Sequence, residues 1–206
     1  LFITLAALAA LLLIVLAVLY FMALHVKPRR LRIPLALPDE GLQKRMKDKD
    51  LAYTMELTRQ ILEMPHEKLE LRSFDGLRLA ARLMIQDDAA PLCILCHGYR
   101  GHAAADFRGI FQQVWGLGYN ILLINERAHW ESDGATIALG LREKRDVQAW
   151  ANYAAERFPG KPIALDGVSM GAATVLSTSS MELPASVRCI VADCGFSPPR
   201  GIVKFV

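Results

Sequence analysis

The chain has 206 residues, of which 53% are hydrophobic, and a formal net charge of +3. That length holds one domain of ordinary size beside a leader. The basic residues gather near the N-terminus and no basic stripe with aromatic platforms crosses the rest, which excludes a nucleic-acid-binding domain.

Leu1 to Leu24 carries no charged residue. As a helix it would span ~36 Å, more than the ~30 Å hydrocarbon core of a bilayer. A cleaved signal peptide has a shorter apolar core and a small-x-small site, and a buried soluble helix shows a polar face. Residues 1–25 are therefore expected to be a single transmembrane anchor, with the lipid bilayer as partner. Lys27, Arg29, Arg30 and Arg32 follow directly, then Lys44, Arg45, Lys47 and Lys49. The positive-inside rule then favours a cytoplasmic domain, although a chain opening at Leu1 leaves the other flank out of the comparison. Residues 26–67 read as a juxtamembrane linker and helix. Pro28, Pro34 and Pro38 keep the chain extended. Asp39 to about Leu62 follows as a polar helix with an apolar side that includes Met55, Leu57 and Ile61.

Residues 68–206 form the expected folded unit. Lys68 to Ser73 and Leu77 to Ile85 pair as a hairpin around Asp75-Gly76. In the second strand Arg78 and Arg82 alternate with apolar residues, which predicts one buried and one wet face. Leu92 to Cys96, Ile121 to Ile124, Ile163 to Leu165 and Cys189 to Ala192 are short apolar runs. Helical stretches over Asp106 to Leu117, Leu141 to Arg157 and Ala172 to Ser180 separate them. Apolar strands alternating with helices predict an α/β fold, a mostly parallel sheet covered on both faces and led by an antiparallel hairpin. Cys93 and Cys96 stand three apart in a strand and point to opposite faces, which argues against metal or redox pairing.

The chemistry concentrates at Gly167-Val168-Ser169-Met170-Gly171. A serine on a sharp strand-to-helix turn needs small neighbours, and Gly167 and Gly171 supply them. The turn presents the hydroxyl and points the Met170 N–H toward any oxyanion formed there. Cys96-His97-Gly98-Tyr99-Arg100-Gly101 follows another parallel strand, where glycines let backbone N–H groups turn inward as a second donor.

With Asn125-Glu126-Arg127-Ala128-His129 and Ala192-Asp193-Cys194-Gly195-Phe196, these motifs resemble the α/β-hydrolase superfamily. The similarity is greatest to its bacterial membrane-anchored branch of serine aminopeptidase-like and esterase-like hydrolases. The resemblance implies Ser169 as nucleophile and the Tyr99 and Met170 N–H groups as oxyanion hole, with His97 holding the oxyanion loop. It implies a serine hydrolase cleaving an ester, thioester or amide of a small acyl ester or peptide, with no metal or organic cofactor.

One departure stands out: the family order is serine, acid, histidine, yet no histidine follows Ser169. The expectation is a C-terminally incomplete sheet, with acid and histidine beyond Val206. Asp193, at the end of the strand after the elbow, and His129, at the active end of the sheet, are the candidate stand-ins. Trp130 is expected to narrow the pocket rim, and the run Glu143 to Asp146 to be a solvated helix face. The alternative is a non-catalytic, hydrolase-like binding module.

Overall fold

The computed structural model describes residues 2–26 and 48–196. The linker prolines 28, 34 and 38, the basic residues from Lys27 to Lys47 and the segment after Phe196 lie outside the described residues. Helix α1 (Phe2–Leu19) continues into a π-helical turn, Tyr20–Leu24. The 20 residues Leu5–Leu24 have a mean hydropathy of 2.9, and none of them is buried. Among the described residues this is the one helix long and apolar enough to cross a membrane. Helix α2 (Asp48–Glu63) ends where the expected polar helix ends, and its Ile61 is buried.

Among the described residues six strands form one sheet: β1 (Glu67–Arg72), β2 (Arg78–Met84), β3 (Leu92–Cys96), β4 (Asn120–Ile124), β5 (Ile163–Val168) and β6 (Val187–Asp193). Their spatial order is β1-β2-β4-β3-β5-β6. β1 and β2 pair antiparallel around a turn in which Gly76 takes a φ of 85° and Ser73 N–H donates to Leu77 O at 2.9 Å. β2 runs antiparallel to β4, and β3, β4, β5 and β6 are mutually parallel. The chain leaves β3 to one side for β4, then returns to its other side for β5. The C-terminal ends of β3 and β5 therefore flank a topological switch point, the place where open α/β sheets bind ligands.

Both sheet faces are covered. Ile94, Cys96 and Leu165 pack with Val147, Trp150 and Val175 of the helices α5 (Glu143–Arg157) and α6 (Met170–Thr178). Cys93, Leu95 and Ile121 pack on the other face with Ile61, Phe107 and Phe111. The two cysteines of β3 thus face opposite ways, and both are free thiols.

Four expectations need correction. β2 is not wet on one face: it is an interior strand, and Arg82 is buried beside Glu131 at 3.7 Å. The helix expected over Asp106 to Leu117 is two short ones, α3 (Ala103–Asp106) and α4 (Phe111–Gly116). His102 caps α3, its Nδ1 accepting the Ala104 N–H at 3.2 Å, and Phe107 turns out of helical geometry to enter the core. Glu143 and Asp146 are not solvated but buried. Glu143 accepts the N–H groups of Ala138 at 2.7 Å and Gly140 at 2.9 Å, and Asp146 receives a buried arginine. β6 is an edge strand and, among the described residues, largely exposed.

Candidate active site

Ser169 sits between β5 and α6 with φ 55° and ψ −111°, outside the ordinary regions for a residue with a Cβ. Such a conformation costs ~1–3 kcal/mol and persists only where the surroundings enforce it. Here they do. A Cβ on Gly171 would lie 2.0 Å from Cys96 O, and one on Gly167 would lie 2.3 Å from Gly171 O. The elbow is therefore pressed backbone to backbone against the end of β3. Its other side is tied to β6, where the Ser169 N–H donates to Asp193 O at 2.9 Å.

The loop after β3 faces the elbow: a Cβ on Gly98 would lie 3.4 Å from Ser169 Cβ. Gly101 N–H closes this loop on Gly98 O at 3.0 Å, and Arg100 takes φ 53°. Met170 N–H and Tyr99 N–H make no hydrogen bond among the described residues. Helix α3, after this loop, holds an acceptor that the motifs did not reveal: Asp106 Oδ2 takes the Gly98 N–H at 2.8 Å. Burial pushes the Asp106 carboxyl upward.

Two histidines brace the loop from beneath. His97 Nδ1 lies 2.9 Å from Gly98 O, and its Nε2 accepts the Glu126 N–H at 3.1 Å. His129 Nδ1 lies 2.8 Å from Arg127 O, and its Nε2 accepts the Arg100 N–H at 3.1 Å. A ring that donates through Nδ1 to a carbonyl and accepts through Nε2 from an amide is neutral in the Nδ1–H form. Burial agrees, holding His97 down to about 4 and His129 to about 3. The rings meet edge to face at 4.6 Å. Both nitrogens of both rings are engaged by the backbone, so neither is open to the Ser169 hydroxyl.

The surrounding segments show where the remaining predicted residues stand. Trp130 is not on the rim: its Nε1 donates to Gly101 O at 2.8 Å and its ring packs on His102 at 4.4 Å. Arg127 forms a two-pronged ion pair with Asp146, Nε to Oδ2 at 2.6 Å and Nη2 to Oδ1 at 2.8 Å, and also reaches Asp75 at 2.8 Å. Glu126 is buried with neither carboxylate oxygen hydrogen-bonded among the described residues, and desolvation raises it well above the carboxylate range. Asp193 is exposed at the end of β6 and serves the elbow through its backbone carbonyl. No group of three or more His, Cys, Asp or Glu side chains among the described residues is placed to hold a metal ion.

An open cleft of about 750 Å³ lies over Ser169, with Gly98, Tyr99, Asp106 and Arg108 on one side and Tyr53 and Leu57 of α2 on the other. The sequence reads α2 as a helix of the juxtamembrane segment, outside the folded unit. Only its apolar side hinted at a packed position, and nothing in that pattern pointed to the cleft.

The sheet order, the strained serine after β5 and the glycine loop after β3 define an α/β-hydrolase fold. Residues 87–198 match the family model described as serine aminopeptidase, S33, and the chain belongs to that family. The uncharacterized protein YqkD of Bacillus subtilis is 27% identical over 111 residues, 53% of this chain and 36% of that one. The Pyrococcus furiosus esterase Pf2001 is similar in structure, with a TM-score of 0.58 and 26% identity over 66% of this chain and 54% of that one. A second crystal form of the same esterase gives a TM-score of 0.59 at 24% identity, covering 83% of this chain and 56% of that one. The chain thus spans about half the length of the esterase and about a third of YqkD.

Proposed function

We propose that this chain carries the nucleophile of a membrane-anchored serine hydrolase, with Ser169 attacking the carbonyl of an acyl ester or peptide. The observation that carries it is the enforced φ of 55° at Ser169 beside two unengaged N–H groups, those of Tyr99 and Met170. In this reading Ser169 Oγ adds to the carbonyl carbon and the negative oxygen is held by both N–H groups, an arrangement that lowers the barrier because the donors are fixed beforehand. The acyl group stays on Ser169 as the alcohol or amine leaves, and water then releases it as a carboxylic acid. His97, Gly98, Gly167 and Gly171 shape the loop and elbow without touching the reacting atoms. The proton acceptor is a histidine with an acid partner, which in this fold follow the serine in chain order. His129 and Asp193 do not take those roles, since the first has both ring nitrogens bonded and the second is exposed. Residues 1–25 act as anchor, 26–67 as linker and cleft-flanking helix, and 68–206 as the hydrolase portion.

The test is fluorophosphonate labelling of the protein expressed from its complete reading frame. Labelling that disappears in Ser169→Ala supports the hydrolase. Ligand binding without labelling would instead indicate a hydrolase-like binding module, the reading favoured by the engagement of both ring nitrogens of His97 and of His129.

A further inference from the structure

We infer that the Ser169 cleft takes its substrate from the bilayer: a membrane-resident acyl ester whose chain enters beside the end of the α1 span. This rests on the nucleophile reading above and adds the substrate class and its route. The turn Tyr20–Leu24 and the two residues after it are seated on the loops around Ser169. Tyr99 Oη donates to Ala23 O, and Arg100 Nη2 to Met22 O at 2.8 Å. Tyr20 Oη and Thr136 Oγ1 lie 2.6 Å apart, Ile137 N–H donates to Leu24 O at 2.9 Å, and Val26 N–H donates to Ala135 O at 2.9 Å. Val26 also packs into the apolar cluster of Met170, Ala128 and Ile137. Tyr99 and Met170, whose N–H groups flank Ser169, are thus both bound into the seat of the span's exit.

Depth follows from the helix geometry. Met22 and Ala23 are among the last three residues of the 20-residue apolar stretch. At ~1.5 Å rise per residue their carbonyls lie within ~3 Å of its end. A side chain that reaches Ala23 O therefore stands at the membrane interface, where tyrosine and arginine are favoured. Tyr99 is also a wall of the cleft, so cleft and interface share one residue. The cleft wall carries exposed aromatic surface: Tyr53 is 65% exposed and Tyr99 40%. Each methylene of a long acyl chain that enters water costs free energy, so a route lined this way favours an ester that never leaves the apolar phase. Chemically the step is ordinary hydrolysis: the acyl C–O bond breaks, one water is consumed, and a carboxylic acid and an alcohol are released.

The test uses the protein from its complete reading frame in phosphatidylcholine vesicles, with two fluorogenic esters of one alcohol. Methylumbelliferyl oleate resides in the bilayer, and methylumbelliferyl butyrate is supplied from buffer. A second protein carries a flexible Gly/Ser insertion of about 12 residues between Leu19 and Tyr20, a coil of roughly 20 Å. The insertion leaves the 18-residue α1 in the membrane and Tyr20–Val26 on its seat, while freeing the cleft from the interface. Oleate hydrolysis is expected to fall at least about tenfold in this variant while butyrate hydrolysis stays within about twofold. If the insertion leaves both rates unchanged, the route from the bilayer is wrong. If the parent protein hydrolyses neither ester and resists fluorophosphonate, the nucleophile reading itself fails. A comparison on the parent protein alone guards against a misfolded variant: oleate in its own vesicles should turn over at least about tenfold faster than the same amount in added protein-free vesicles. Equal rates would overturn the proposal.

Discussion

The Asp106 carboxylate accepts the Gly98 N–H at 2.8 Å, and it has room to do so because Gly101 lacks a side chain: a Cβ there would lie 2.1 Å from the same oxygen. The bond fixes the His97–Gly98 peptide plane, at the start of the loop that carries the Tyr99 N–H. A hydrogen bond to a charged group contributes about 1.5–3 kcal/mol, and each 1.4 kcal/mol is about tenfold in rate. Asp106→Ala is expected to slow fluorophosphonate labelling of Ser169 by about tenfold or more, and Asp106→Asn, which keeps an acceptor, by less. Labelling time courses at fixed probe concentration decide it; an unchanged rate in the alanine variant would show that the loop keeps its shape unaided.

The close approach of α6 to β3 makes an unequal pair of glycine substitutions. At Gly171 a Cβ would meet Cys96 O at 2.0 Å, backbone against backbone, whereas at Gly116 nothing lies within 4 Å. Gly171→Ala should destabilise by about 3 kcal/mol or more. Gly116→Ala, at the end of a helix, should change stability by less than about 1 kcal/mol. Urea midpoints with unchanged m-values would report both.

Arg127 and Asp146 form the ion pair that ties the loop after β4 to α5, with side chains 2% and 4% exposed. Removing one partner strands the other charge away from water, at a cost of about 3–5 kcal/mol. Arg127→Met and Asp146→Leu should each destabilise by that order. The double variant should lose clearly less than the sum, which a double-mutant cycle measures directly.

Asp166 supplies a pH signature. Burial, with Asp193 nearby, pushes its carboxyl up to about 6. An acid whose value is higher folded than unfolded binds more protons when folded, so its contribution declines as pH rises from about 4 to about 6. Asp166→Asn should therefore match the parent near pH 4 and exceed its stability at pH 7.5 by about 1–3 kcal/mol. Chemical denaturation at the two pH values would reveal the divergence; parallel curves would mean that Asp166 ionises without cost.

The parts legible from sequence were those set by local pattern. The elbow glycines, the hairpin at Asp75-Gly76 and the four apolar strands follow from turn chemistry and hydrophobic runs, and their order gives the α/β-hydrolase sheet. What escaped depends on long-range partners. Glu143 and Asp146 look like a surface charge run until Arg127 and two loop amides, placed there by the fold, receive them. Arg82 sits in an alternating pattern that signals a wet face, but β4 and β1 on either side make β2 interior. Asp106 marked only a helix start, because its partner Gly98 is brought to it by the loop turn. Leu57 belonged to an amphipathic pattern with no indication of what its face would cover, and Tyr53 lay outside that pattern.

The seat of Tyr20–Val26 also bears on how encounters are counted. A domain hung on a loose tether tumbles and meets its substrates in three dimensions. If the apolar helix spans a bilayer as proposed, a domain pinned to its end by contacts at Ala23, Met22, Tyr20, Leu24 and Val26 keeps one orientation to the membrane plane. With the span in a bilayer, collisions then occur by lateral diffusion within a sheet. Turnover would follow the mole fraction of ester among lipids, so that inert lipid dilutes the reaction and added buffer does not.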